Sequence, residues 1–247
     1  MDAAPATSAI PAALLPQEQH FAVYGLTEGL VPYGFYAGTP AVILRLQGCP
    51  VGCPWCDQPS GIPEPTLGPA WQQASEEDLE RSGYRGWRWV STTRLLALID
   101  AHASRHVLIT GGEPALYDLA WFSEQLVARG YTVQVETSGV LPLSIARQAW
   151  VTLSPKPDAH PELTVWPWLY KRADEVVQLI RGPADEQWVD RTLKSRRLGS
   201  IVWLLPLDGR PDLGELCWEL ARRHCLRCCI QMPQVAPMVR QPDLTCS

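Results

Sequence analysis

The sequence predicts an α/β fold, a mostly parallel sheet with helices between its strands. From about residue 93 onward, strand-like apolar runs alternate with segments of helical period, the pattern of βαβ units. Those strands are apolar on both faces, as a buried parallel sheet requires. Glycine- and hydroxyl-rich clusters directly follow several of them, at the ends where α/β barrels gather ligand groups. At 247 residues the chain suits one domain, and single α/β barrels reach this length.

Residues 1–19 are rich in Ala and Pro without periodicity and read as a disordered extension, leaving residues 20–247 as the domain. Residues 21–40 carry Gly25, Gly29, Gly34 and Gly38 among aromatics and read as strand fragments and turns. Ala41 to Leu46 is the first barrel strand, β-branched and bounded by Pro40 and Gly48, with Arg45 near its C-terminal end. Residues 58–90 form an insertion with a short helix near Ala74 to Glu80, a loop of the kind that lids a barrel mouth. Leu95, Leu96, Leu98 and Ile99 predict a helix over Thr93 to His102, behind a cap at Ser91 to Thr93.

Arg105 to Thr110 is the next strand, and Gly111 and Gly112 after it let the backbone come close to a ligand before Pro114 starts a turn. Leu119 to Arg129 is an amphipathic helix closed by Gly130. Strands follow at Tyr131 to Thr137, Trp150 to Ser154, Glu175 to Ile180 and Ser200 to Leu205, with a helix over Asp185 to Ser195. The last helix spans Leu213 to His224, before a strand-like Leu226 to Gln231.

Composition narrows the function classes. Charged residues are 19% and hydrophobic ones 46%, an ordinary globular balance. A net charge of −5 argues against a nucleic-acid footprint, which is normally basic. No apolar run is long enough to span a bilayer, and the N-terminus lacks the basic start and apolar core of a secretory signal. Three of the eight cysteines fall in one loop that needs reduced thiolates, so a cytoplasmic location is expected.

That loop is Cys49-Pro-Val-Gly-Cys53-Pro-Trp-Cys56, directly after the first barrel strand. Three thiolates with no fourth can ligate three irons of a [4Fe–4S] cube and leave one iron open to a small chelating ligand. A structural zinc site is the rival, but it wants four ligands, and no His follows at metal-ligand spacing while the next cysteine is Cys217. Cys225, Cys228 and Cys229, with Cys217 or Cys246, offer a second cluster on paper. Cys217 falls on a helix, and adjacent strand residues point to opposite faces, so buried apolar thiols are the better expectation.

The cysteine spacing, with an aromatic residue before the third cysteine, resembles that of the radical S-adenosylmethionine (SAM) enzymes. Thr110-Gly-Gly-Glu-Pro114, Glu136-Thr-Ser-Gly139 and Ser154-Pro-Lys156 resemble later SAM-contacting segments of that superfamily. With Arg45 to Asp57, these motifs most resemble the 7-carboxy-7-deazaguanine synthases of the queuosine route, over about Phe21 to Gln231. The resemblance implies a partial (β/α) barrel with a reduced helix complement. It implies a lyase that reductively cleaves SAM at a [4Fe–4S] cluster and converts 6-carboxy-5,6,7,8-tetrahydropterin with loss of ammonia. Cys49, Cys53 and Cys56 would hold the iron. Trp55 and Asp57 would lie beside the adenine or ribose, with Gly111, Gly112 and Glu113 at the SAM amino end. Thr137, Ser138, Ser154 and Lys156 would hold the rest of SAM, while Arg45 and Thr110 face substrate. Arg45 suits a carboxylate, as a planar bidentate donor.

Three substrate-side positions depart from the family pattern. Tyr33 stands where the synthases carry a ring-recognising Glu, and the nearest carboxylate, Glu28, comes five residues too early. Gln58 replaces a Thr that helps coordinate Mg²⁺, a hard cation preferring oxygen, which leaves the magnesium requirement open. At the C-terminal side only Gln231 is kept, in Gln231-Met-Pro-Gln234. Alternatives therefore stay open: a paralogue running the same radical chemistry on another small molecule, a glycyl-radical activase, or a non-catalytic iron–sulfur or zinc module. The family also implies an external electron donor of flavodoxin or ferredoxin type and a homodimer.

Overall fold

The structure is a computed structural model of the chain and describes residues 18–56, 86–160 and 162–229. Much of the expected N-terminal extension and insertion, with Asp57, Gln58, Gln231 and Cys246, lies outside the described residues.

Among the described residues nine strands form one sheet: β1 His20–Leu30, β2 Pro40–Leu46, β3 Arg88–Ser91, β4 His106–Gly111, β5 Thr132–Thr137, β6 Trp150–Leu153, β7 Glu175–Ile180, β8 Ile201–Pro206 and β9 Arg227–Cys228. The order is β3-β1-β2-β4-β5-β6-β7-β8-β9. From β2 to β9 every pairing is parallel and each strand joins the outer side of the one before, so the order never reverses as in a doubly wound sheet. The sheet's ends, β3 and β9, stay apart, which makes it the partial barrel expected rather than a closed one.

Among the described residues five α-helices lie between or after the strands: α1 Thr92–Asp100, α2 Ala120–Ala128, α3 Pro167–Arg172, α4 Glu186–Ser195 and α5 Pro211–His224. Ser91 caps α1, its hydroxyl accepting the Arg94 amide at 3.2 Å. The outward faces of the strands supply Val107, Ile109, Val133, Val135, Val151, Leu153 and Val176. These pack with Leu95, Ile99, Phe122, Leu126 and Leu169 of the helices as the main core. None of the helices among the described residues is long and apolar enough to cross a membrane.

Three features depart from expectation. Residues 21–40 are not fragments: β1 is a single 11-residue strand, because antiparallel partners on both sides satisfy its backbone. The short β3 and α3 were not anticipated, since four and six residues are too few to show a period. The inner faces of the strands are also far from wholly apolar. His106 Nε2 donates to Gln134 Oε1 at 3.0 Å, Gln134 Nε2 to Thr152 Oγ1 at 3.0 Å, and Thr152 Oγ1 to Glu175 Oε1 at 2.7 Å. All four side chains are buried. A buried carboxylate is tolerable only when hydrogen-bonded, and Glu175 Oε2 accepts the Phe35 amide and the Trp203 indole N–H, each at 2.8 Å.

The Phe35 contact folds the loop between β1 and β2 across the inner face. Phe35 stacks on Trp150 at 4.8 Å and Tyr36 tilts against His106 at 4.6 Å. Gly34, at φ 83°, is required where the loop crosses Glu175: a Cβ there would lie 2.7 Å from the carboxylate.

Of the described C-terminal cysteines, Cys217 and Cys229 meet the expectation of buried apolar thiols, and Cys225 and Cys228 do not. Cys217 packs with Ile180, Leu204 and Leu220, whereas Cys229 packs with Val177 and Leu205. Burial pushes both thiols up to about 12, which leaves them unreactive. Cys225 and Cys228 are exposed.

Candidate active site

The cysteine loop is seated by the glycines after β4. The Gly112 amide donates to the Leu46 carbonyl at 2.8 Å, and the Glu113 amide to the Gly48 carbonyl at 2.7 Å. Gly111 has φ 109°, and a Cβ there would stand 2.5 Å from the Leu46 backbone; one on Gly112 would stand 2.0 Å from the Gly48 oxygen. No side chain fits in either gap. The turn leading into Cys49 is therefore packed backbone to backbone on the glycine pair. Tyr117 holds the same turn from its other side, its hydroxyl donating to the Gln47 carbonyl at 2.7 Å.

Cys49 and Cys53 are half-buried, Cys56 is exposed, and all are free thiols. Burial pushes the Cys49 thiol up, against a pull down from the Val51 and Gly52 amides. Burial likewise pushes Cys53 up to about 11, opposed by the Lys156 cation. Iron would deprotonate such thiols outright. Among the described residues no three His, Cys, Asp or Glu side chains converge on one point as a single ion demands. Three soft thiols on one loop, with cations facing Cys53, fit a multi-iron cluster that takes each thiolate on a separate iron.

The polar clusters converge around this loop. Glu113 is fully buried, and its carboxylate accepts from Thr137 Oγ1 at 2.6 Å, the Ser138 amide at 2.8 Å, the Ser138 hydroxyl, and the Ala115 amide at 3.0 Å. The Glu113 carboxylate, Thr137 and Ser138, all expected at SAM, hydrogen-bond one another, locking the loop after β4 to the loop after β5. The Ser154 amide donates to the Thr137 carbonyl at 2.8 Å, which adds the loop after β6. Lys156 Nζ donates to Ser154 Oγ at 2.5 Å and faces Cys53.

On the substrate side, Arg45 and Thr110 are register partners on adjacent strands. Arg45 is half-buried, and its side chain makes no hydrogen bond or ion pair with a described residue. Thr110 Oγ1 donates to Glu136 Oε2 at 2.9 Å, and the Tyr33 hydroxyl donates to Glu136 Oε1. Glu28 is remote from this arrangement: its carboxylate accepts the Ser104 amide at 2.8 Å and the Ser104 hydroxyl, and lies 3.8 Å from His102.

Two residues here escaped the sequence reading. Glu136 was read only as part of its motif, although its side chain joins Tyr33 to Thr110. Arg181 directly follows β7, and its guanidinium lies 4.6 Å from the Trp55 ring. Strand-end position, the signal that pointed to Lys156, applies equally to Arg181.

A family model of the radical SAM superfamily matches residues 43–206. The chain is 30% identical over 197 residues to the 7-carboxy-7-deazaguanine synthase of Escherichia coli K12, covering 75% of this chain and 84% of that protein. It is 33% identical over 195 residues to the synthase of Buchnera aphidicola, covering 74% and 83% of the two chains. For the Aquifex aeolicus synthase the figures are 30% over 212 residues, 81% and 84%. The crystal structure of QueE from Escherichia coli superposes with a TM-score of 0.78 at 29% identity, over 87% of this chain and 95% of that one. With the matched domain, the shared fold and motifs that converge at the strand ends, the chain belongs to the radical SAM superfamily, among the 7-carboxy-7-deazaguanine synthases.

Proposed function

We propose that the chain is a 7-carboxy-7-deazaguanine synthase that uses SAM and a [4Fe–4S] cluster on Cys49, Cys53 and Cys56 to convert 6-carboxy-5,6,7,8-tetrahydropterin with loss of ammonia. The observation that carries this reading is the seating of the cysteine loop on Gly111 and Gly112 at the strand ends, beside half-buried Arg45 and Glu136. When bound, the cluster and SAM supply one-electron cleavage of the sulfonium and abstraction of a substrate hydrogen. The protein's part is binding and orientation. The backbone of Gly111 and Gly112 lines the SAM amino end, Lys156 and Ser154 the far side, and Trp55 the adenine.

Arg45 offers a bidentate fork to the pterin carboxylate. Glu136 supplies the acceptor for ring N–H groups that the family draws from the position of Tyr33. Each oxygen of Glu136 already accepts one hydroxyl, and an ionised carboxylate has lone pairs left for two more donors. Tyr33 thus fixes the direction of the Glu136 carboxylate. Asp57, Gln58 and Gln231, expected at the ribose, the magnesium and the substrate, lie outside the described residues. A cytoplasmic location, a flavodoxin- or ferredoxin-type donor and a homodimer complete the proposal, by likeness to the family.

The test is anaerobic: reconstitute the cluster, reduce it, add SAM and the carboxytetrahydropterin with and without Mg²⁺, and follow products by mass spectrometry. Stoichiometric 7-carboxy-7-deazaguanine is expected. Slow 5′-deoxyadenosine with the pterin unchanged would overturn the substrate and leave a synthase-like paralogue.

A further inference from the structure

We propose that Arg181 is a positioning residue that clamps the cluster loop: it holds the Trp55 ring for SAM and places a fixed positive charge beside the cluster. Arg181 emerges from the end of β7, and its contacts reach separate parts of the site. Its Nη2 lies 2.5 Å from Asp185 Oδ1, and its Nε donates to Asp185 Oδ2 at 3.1 Å, a bidentate pair. The Asp185 side chain is almost fully buried, and its Oδ2 also accepts the Arg181 amide at 2.7 Å. The guanidinium plane is therefore held from behind. Its Nη1 donates to the Pro157 carbonyl at 3.2 Å, fixing the turn after Lys156. Its open face then lies against the ring of Trp55, which sits between Cys53 and Cys56 on the cysteine loop.

An arginine held only for stability would not need an aromatic partner on the cluster loop. A guanidinium over an indole restricts the ring while leaving its other face open for a second flat group. The charge also reaches Cys53, where Lys156 is the other cation. A fixed cation near a ligated thiolate favours the reduced, more negative cluster. The inference rests on the cluster assignment and is independent of the pterin.

The experiment compares reconstituted wild type, R181K, R181M, W55L and W55L/R181K. It measures iron and sulfide per chain, the cluster midpoint potential by EPR-monitored titration, and SAM affinity from the change in the reduced cluster's EPR spectrum. R181M is expected to keep a cluster, shift its midpoint to a more negative potential, and bind SAM about tenfold more weakly. R181K restores the charge and the midpoint but not the flat contact, so its SAM affinity stays low. W55L/R181K binds SAM no worse than W55L, because the arginine acts through the ring. Wild-type midpoint and affinity in R181M, or additive losses in the double variant, would overturn the clamp. If R181M fails to fold, the W55L and R181K cycle decides alone. A wild-type protein that binds no cluster would overturn the clamp and the cluster assignment together.

Discussion

Gly112 sets the tightest tolerance among the described glycines, because a methyl group there would overlap the Gly48 carbonyl, which the adjacent amide holds by a hydrogen bond. Gly112→Ala is expected to push the start of the cysteine loop away from β4. The cost is on the order of 1–3 kcal/mol, as for other overpacked sites, with most of the reconstituted iron lost. Iron analysis and a thermal melt on one preparation check both effects. A variant with full iron content would show that the seat does not order the loop. Tyr33 makes a different kind of contribution. Tyr33→Phe leaves Glu136 with Thr110 as its described hydroxyl donor, so KM for the pterin is expected to rise about tenfold, the scale of one hydrogen bond to a charge. SAM cleavage should continue, so the yield of product per 5′-deoxyadenosine should fall. Glu136→Gln is expected to raise KM further, and an unchanged KM in both variants would remove Glu136 from recognition. These contacts were out of reach of sequence reasoning. Tyr33 and Glu136 are 103 residues apart, and Phe35 and Glu175 are 140 apart, so no local spacing reveals either pair.

At the scale of elements, the strand ends were legible and the inner face was not. Apolar runs closed by glycine or proline marked β2 and the strands from β4 to β8, and the clusters following them marked the mouth. Within β5 and β6, Gln134 and Thr152 read as ordinary polar interruptions. Only pairing across the sheet turns them into a line of donors ending on Glu175. That line has a pH consequence. Burial holds the His106 imidazole below its ordinary 6.5, against a small upward pull from Gln134. Its other ring neighbour, Tyr36, is held neutral by burial, and the Glu175 carboxylate lies at the far end of the chain. The folded state therefore binds fewer protons here than the unfolded state. This contribution is present above about pH 6.5 and is lost as pH falls through that value. Urea unfolding at pH 7.5 and 5.5 should show lower stability at the acidic point, and His106→Asn should flatten the difference. An equal slope in the variant would place the acid sensitivity elsewhere.

As a whole, the described residues form a sheet open between β3 and β9, with the loop between β1 and β2 laid across its inner face and the cysteine loop at its mouth. The fold class and the family were readable because they depend on backbone-close motifs: glycines that admit no side chain, and thiols at fixed spacing. Arg181 was missed for the opposite reason. Its role lies in what its guanidinium touches, and Trp55 is reached only after the chain has wound through four more parallel strands.

The seat of Gly48 on the glycines after β4 also fixes an order of assembly. The cysteine loop comes early in the chain, yet its support comes from a strand separated from it by the residues after Cys56 and the whole of α1. Its backbone partners are amides and carbonyls, not metal ligands, so the cradle can form before any iron arrives. Small zinc domains behave differently, since they have no fold until the ion binds. Here the cluster enters a finished host. Apo-protein made under chelation is expected to melt in one cooperative transition, near that of the loaded protein, and to take up iron without refolding. A broad, non-cooperative melt of the apo-protein would mean that the cluster builds its own cradle.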